Sequence, residues 1–156
     1  MKQFWRNPYL RMLLMLLLLA GVLCTACTSG VASDYDQPPS DAALAEDGWY
    51  TEPQKVADYL HVYGHLPDNF ITKNEAKKLG WDNQAGNLDE VAPDMSIGGD
   101  LFGNREGLLP EKDGRKYYEC DVNYEGGYRN GERIIYSNDG LIFYTADHYK
   151  SFEQLY

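Results

Sequence analysis

Between Tyr117 and Tyr149 the chain places a glutamate (Glu119), two arginines (Arg129, Arg133) and a histidine (His148) in a setting that suits proton transfer around a phosphodiester. In YYECDV, Tyr117, Glu119 and Asp121 share one side of a strand, and Tyr118, Cys120 and Val122 share the other, because successive side chains point to opposite faces. ERIIYS likewise puts Arg133, Ile135 and Ser137 on one side and Ile134 and Tyr136 on the other. If the two strands pair, Glu119 and Arg133 become neighbours on one face, Arg129 arrives from the connecting loop and His148 from the turn after the last strand. Such a set could take a proton from an attacking hydroxyl, return one to a leaving oxygen and hold the phosphoryl charge with fixed cations. The same spacing also fits a surface ion pair between two strands.

The elements that must position these groups are legible. Asn138-Asp139-Gly140 turns the ERIIYS strand tightly into Leu141 to Thr145, a hairpin, while Asn123 to Gly131, with three glycines, reads as a loop. Upstream, Thr51-Glu52-Pro53-Gln54 predicts a capping-box start, followed by Val56, Tyr59, Leu60 and Tyr63 at helical spacing and ended by Gly64. Thr72-Lys73-Asn74-Glu75 predicts a second, shorter helix closed at Leu79-Gly80, with Lys73 placed against the helix dipole. A third is expected from Asn87 to Ala92, capped by Asn87, with Trp81 and Leu88 turned toward the sheet. Met95 to Leu101 alternates as a first strand, weakened by Gly98-Gly99. Helices precede strands, so the expected fold class is α+β: helices on one face of an antiparallel sheet, the other face open.

Phe102-Gly103-Asn104-Arg105-Glu106-Gly107 offers an aromatic ring, backbone N–H groups and one carboxylate. That combination could read the edge of guanine: Glu106 accepts from the N1 and N2 hydrogens, and backbone N–H groups donate to O6.

The chain begins as an export segment. Lys2, Arg6 and Arg11 precede the apolar run Met12 to Leu23, and small residues lead to Cys27, so residues 1–28 are expected to be a signal and the mature protein to lie outside the cytoplasm. An apolar run of about a dozen residues is short for a membrane span. Leu23-Cys24-Thr25-Ala26-Cys27 resembles a lipoprotein cleavage box with Cys24 where Leu is preferred, which makes Cys27 the lipidation candidate. Residues 29–46 are polar, acidic and proline-containing, the composition of a flexible tether to a domain over residues 47–156. That domain holds only Cys120, read as a buried small hydrophobe, so no disulfide is expected.

Taken together, VADYL, LPDNFITKNEA, LGW, GNL, VAP, SIGGD, NREG, the Glu119 strand, GYRN, ERIIYS and TADHY resemble, in order and without an apparent gap, the barnase family of extracellular bacterial guanyl-preferring ribonucleases. The resemblance implies cleavage of single-stranded RNA after guanosine through a 2′,3′-cyclic phosphate, with no cofactor and no metal. Carried to matching positions, it makes Glu119 the general base and His148 the general acid, with Lys73, Arg129 and Arg133 on the scissile phosphate and Tyr149 bordering the site. The NREG loop, with Gly103, Asn104, Arg105 and Glu106, would bind guanine near Phe102 and His148, with Arg105 beside the phosphate entrance. Asp100 is expected to be a structural anion supporting Lys73 or the arginines. His61 and His65 are expected to be surface residues.

The resemblance also implies a monomer and a barstar-like acidic protein inhibitor over this surface. Two departures stand out: Gly103 replaces a common Ser, and residues 47–156 carry 11 Lys and Arg against 20 Asp and Glu. An acidic body slows capture of a polyanion, so weaker substrate binding than in basic relatives is expected. Competing readings are a non-catalytic binding module on the same fold and a surface-anchored antibacterial ribonuclease toxin.

Overall fold

The computed structural model describes residues 44–156; the export segment, Cys27 and most of the tether lie outside them. The last tether residues are held: Leu44, Ala45 and Glu46 accept hydrogen bonds on their carbonyls from the hydroxyls of Tyr63, Tyr50 and Tyr59.

Helix α1 spans Pro53–Tyr63 and buries Val56, Ala57, Tyr59 and Leu60, the stripe set by their spacing. Gly64 ends it at φ 74°, its N–H bonded to the Leu60 carbonyl, a left-handed cap that glycine reaches without strain. The expected capping box at its start is absent. Glu52 is the capping residue and makes no side-chain cap bond, and Pro53 at the first helical position has no N–H to satisfy.

Strand β1 (Phe70–Ile71) leads into helix α2 (Lys73–Lys78), where the box does form. Thr72 Oγ1 accepts from the Glu75 N–H at 3.3 Å, and Glu75 accepts from the Thr72 N–H at 2.8 Å. Helix α3 (Leu88–Val91) follows, and Asn87 does not cap it. The Asn87 side chain is taken up by the preceding turn, accepting from the Asp82 N–H and donating to the Gly80 carbonyl.

The strands β2 (Ser96–Phe102), β3 (Tyr117–Asp121), β4 (Arg133–Ser137), β5 (Ile142–Thr145) and β6 (Glu153–Gln154) complete the chain, and β1 to β6 neighbour one another in sequence order. All pairs are antiparallel except β1 with β2, which is parallel. The strand expected first is therefore second, because the two residues of β1 are too few to show any alternation.

Helix α1 covers one face of the sheet through Val56, Ala57 and Leu60 against Cys120, Val122, Ile134 and Ile142. Each fully buried aliphatic of this kind contributes about 1.5–3 kcal/mol of burial. A second cluster joins Ala76, Trp81, Leu88 and Ala92 to Ile97 of β2, so Trp81 and Leu88 do turn to the sheet. The opposite face is only partly open: Leu109, Tyr117, Ile135 and Phe143, with Phe102, Tyr149 and Phe152 beside them, close one end of it. Cys120 is fully buried, and burial pushes its thiol well above the ordinary range, as befits a packing residue.

Gly98-Gly99 shapes the site rather than merely weakening a strand. Gly98 pairs with Cys120 and Asp100 with Glu119, so Gly99, at φ 91°, is an extra residue in β2. Without this bulge Asp100 would share the face of Gly98; with it, Asp100 and Phe102 turn to the face of Glu119. Gly98 permits the close approach, since a Cβ there would lie 2.7 Å from Cys120 Cβ and 2.8 Å from the Phe70 ring.

Two carboxylates tie the loops to the sheet. Arg115, paired to Asp139 through Nε and Nη2 at 2.8 Å each, and the Ser137 hydroxyl hold the Asp139 carboxyl far below the usual range. Ser151, through its side chain and its N–H, draws Asp147 down to about 2, with help from Thr145 and the Lys150 N–H. Both folded-state values lie below the unfolded value of about 3.9. The stability they contribute is therefore complete above that value and is lost as pH falls toward 2. Thermal melts should show the midpoint dropping steeply below about pH 4. Asp139→Asn, already less stable at neutral pH, should drop less; a parallel decline in variant and parent would rule out this source.

Candidate active site

Glu119 sits mid-strand on β3, facing away from α1, and is 6% exposed. It is the carboxylate on which the other groups converge. Lys73 reaches it from the first turn of α2, its Nζ bonded to Glu119 Oε1, while the Tyr149 hydroxyl donates to Oε2 at 2.7 Å. The Lys73 N–H donates to Asp100 Oδ2 at 2.8 Å, so the anion re-aimed by the bulge fixes the start of α2 and with it the stem of Lys73. Burial pushes the Glu119 carboxyl up, but the Lys73 and Tyr149 hydrogen bonds and the charges of Lys73 and Arg129 outweigh it, and the net displacement is downward. Glu119 is thus held ionised. Tyr149, raised to about 12 by burial and by its bond to Glu119, keeps its proton.

The arginines do not pair with Glu119. In the β3–β4 register Glu119 lies opposite Ile135, and Arg133 lies opposite Asp121. Glu119 and Arg133 are neighbours on one face, as expected, in a diagonal rather than a directly opposite relation. Asp121, 1% exposed, takes both cations. Arg129 binds it bidentately, Nε to Oδ2 and Nη2 to Oδ1 at 2.6 Å each, and Arg133 Nε lies 2.8 Å from Oδ1.

Arg133 is 2% exposed, and its Nε, though in ion-pair contact, lacks a well-aligned hydrogen bond. Its Nη1 donates to Asn130 Oδ1 and to the Glu132 carbonyl. Among the described residues, Arg129 Nη1 and Arg133 Nη2 donate to no protein acceptor, which leaves them for an anionic ligand.

His148 lies on the turn after β5, exposed, at φ 56°, and Tyr149 follows at φ 69°. Two successive non-glycine residues in the left-handed region are strained, at about 1–3 kcal/mol each. The turn is held by Asp147, which accepts from Thr145 Oγ1, the Lys150 and Ser151 N–H groups and Ser151 Oγ, and by the His148 N–H on the Gly131 carbonyl. The Tyr149 ring stands 4.7 Å from the His148 ring and 5.2 Å from Phe102, so it connects the candidate base, the candidate acid and the aromatic end of the cleft.

The loop after β2 stands apart from this cluster. Asn104 turns inward and clips it, donating to the Leu109 carbonyl at 2.8 Å and accepting from the Leu109 N–H at 3.0 Å. Its side chain is thereby committed to loop closure. Arg105 and Glu106 are exposed and make no ion pair among the described residues. Gly103 has ordinary space for a Cβ, with Arg105 side-chain atoms at 3.7 Å, and does not use a left-handed φ. Gly103→Ser should therefore stabilise the fold by about 0.4–1 kcal/mol through the unfolded chain. Equilibrium denaturation would reveal a loss instead if the loop needed glycine.

A family model described as ribonuclease matches residues 53–156. The chain belongs to this ribonuclease family. It is 56% identical over 100 residues to a ribonuclease from Heyndrickxia coagulans, covering 64% of this chain and 92% of that protein. It is equally identical over 100 residues to a ribonuclease from Bacillus intermedius, there covering 62% of the relative. Guanyl-specific ribonuclease St of Saccharopolyspora erythraea is 42% identical over 55 residues, 35% of this chain and 54% of that protein.

As a member of a ribonuclease family, the protein is an RNA-cleaving enzyme. Sequence reasoning missed Asp121 and Asp147 as site-builders. Asp121 could have been found from its shared face with Glu119, and Asp147 from a Ser four residues on that can close its turn.

Proposed function

We propose that this ribonuclease cleaves single-stranded RNA endonucleolytically after guanosine, by transfer of the phosphoryl group to the neighbouring 2′-oxygen. Glu119 accepts the 2′-hydroxyl proton, the 2′-oxygen bonds to phosphorus, and the bond from phosphorus to the 5′-oxygen breaks as His148 protonates that oxygen. The products are a 2′,3′-cyclic phosphate and a free 5′-hydroxyl. Lys73 and the open guanidinium nitrogens of Arg129 and Arg133 stabilise the added charge on phosphorus. All of these steps use side chains, so no metal is assigned a part. The reading rests chiefly on one observation: a buried, ionised Glu119 in direct contact with Lys73 and Tyr149, beside a pair of arginines fixed by Asp121.

Guanine selection is assigned to the Phe102–Glu106 loop, through backbone N–H groups and the free Glu106 carboxylate, with Phe102 beside the base. The guanyl-specific relative favours this choice. Export through residues 1–28, anchorage at Cys27, a monomeric state and an acidic barstar-like inhibitor are further parts of the proposal.

The pH dependence of kcat/KM tests the roles. The rate should rise with pH as Glu119 ionises, which gives the profile its acid limb. Glu119 is lowered most by Lys73, so Lys73→Ala should move the acid limb upward as well as reduce the rate. An acid limb that stays in place in that variant would mean that a group other than Glu119 is the base.

A further inference from the structure

Between the residues that lead into α1, helix α3 and the loop that carries Arg129 lies a cleft of about 450 Å³ that shares no lining residue with the Glu119 cluster. Three exposed carboxylates stand around it, Asp89, Asp94 and Glu125, and no lysine or arginine lines it. None of the three is in an ion pair among the described residues. Trp49, 54% exposed, forms an aromatic wall. Ser96 of β2 lies beneath and is 2% exposed. Its neighbour Ile97 packs with Trp81 and Leu88, so Ser96 turns to the other side of the strand, and its hydroxyl has no hydrogen-bond partner among the described residues. A hydroxyl buried to that extent is costly to leave unpaired, and the cleft is where a partner for it can enter.

The walls are tied to one another. The Asn69 side chain donates to the Tyr50 carbonyl at 3.0 Å, and the Asn123 N–H donates to the Thr51 carbonyl at 2.8 Å. The Gly127 N–H donates to Asp89 Oδ1 at 3.1 Å, and the Tyr124 hydroxyl donates to the Gly127 carbonyl at 3.0 Å. A cleft held in this way is formed before any ligand arrives, which lowers the cost of binding. Its chemistry selects a cation with an apolar body. The carboxylates attract positive charge, and the face of a tryptophan favours a cation over a neutral group. The volume is far larger than a metal ion, and among the described residues no three His, Cys, Asp or Glu side chains converge as metal ligands would. Three carboxylates spread about one aromatic wall suit several charges spaced along a chain better than a single one.

We propose that this cleft binds a linear polyamine, with its ammonium groups on Asp89, Asp94 and Glu125, its methylenes along Trp49 and Tyr124, and one N–H donated to Ser96 Oγ. Binding there does not depend on the catalytic roles proposed above. A bound polyamine adds positive charge to a chain of formal charge −10, beside the loop that carries Arg129, and so reduces the repulsion that an acidic body offers to RNA.

The test is calorimetric titration of the full chain with spermidine at low salt, where a saturable site is expected. Trp49→Leu, which leaves the charge unchanged, should weaken binding about threefold or more, the lower range of a cation–π contact, and Trp49→Tyr should keep most of the affinity. Asp94→Asn together with Glu125→Gln should weaken it about fivefold or more, as two exposed ion pairs can. Glu111→Gln together with Glu153→Gln removes as much charge away from the cleft and should change little. Equal losses in the two double variants, or full affinity in Trp49→Leu, would mean diffuse attraction to an acidic surface and would overturn the site. Titration without saturation would overturn it as well. A trilysine peptide that bound more tightly than spermidine would assign the cleft to a protein partner instead, and the polyamine would fall.

Discussion

Asp121→Asn should destabilise the protein by about 3–5 kcal/mol, the range for removing one partner of a buried ion pair. Asp121 is 1% exposed and neutralises two guanidinium groups at once. An asparagine there would offer one acceptor in place of two and would turn N–H donors toward the two cations. Arg133 is as buried as its partner and already has an Nε without a well-aligned hydrogen bond, so it has little capacity to readjust. A domain of this size has about 5–15 kcal/mol in total, so the variant should unfold at markedly lower urea with an unchanged slope. Turnover should fall as well, because Arg129 and Arg133 take their positions from Asp121. A change below about 1 kcal/mol, the range of an exposed pair, would contradict the account of this network.

His148→Ala should lower kcat/KM by at least about 10²–10⁴-fold, the usual contribution of a positioned general acid or base. Glu119→Ala should lose less. A 2′-hydroxyl can give its proton to water more readily than an unprotonated alkoxide can depart. The two substitutions should also differ in stability. His148 is held at φ 56° beside another left-handed residue, so His148→Gly should relieve strain and stabilise the fold by about 1 kcal/mol while remaining inactive. A stable, inactive His148→Gly beside a less impaired Glu119→Ala would fit a turn strained for function. The reverse ranking of activities would remove His148 as the acid.

The sequence revealed most where order is local. Two-residue periodicity put Glu119 opposite the face of Cys120 and Val122, and Asn138-Asp139-Gly140 predicted the hairpin that the structure contains. The capping box at Thr72 and the glycine stop at Gly64 also appear.

What stayed hidden depends on register or on distance along the chain. Lys73 and Glu119 are 46 residues apart, and nothing in spacing alone joins them. Asp100 reaches the site face only through an extra residue at Gly99, whose bulge cannot be told from an ordinary weak strand. Asp121 was visible as a neighbour of Glu119, but its role requires knowing that Arg133 lies opposite it and that Arg129 folds back from the loop. Capping was overread at Thr51 and Asn87 because the proline start and the tight turn after α2 supply other solutions.

The most direct measurement is cleavage of a fluorogenic oligoribonucleotide containing one guanosine, by the full chain in EDTA, with the early product identified by its phosphorus resonance. The proposed mechanism requires a single cut after the guanosine, a 2′,3′-cyclic phosphate end, and undiminished activity in the chelator. Cleavage at other residues, a product with a 5′-phosphate, or dependence on added metal would contradict it.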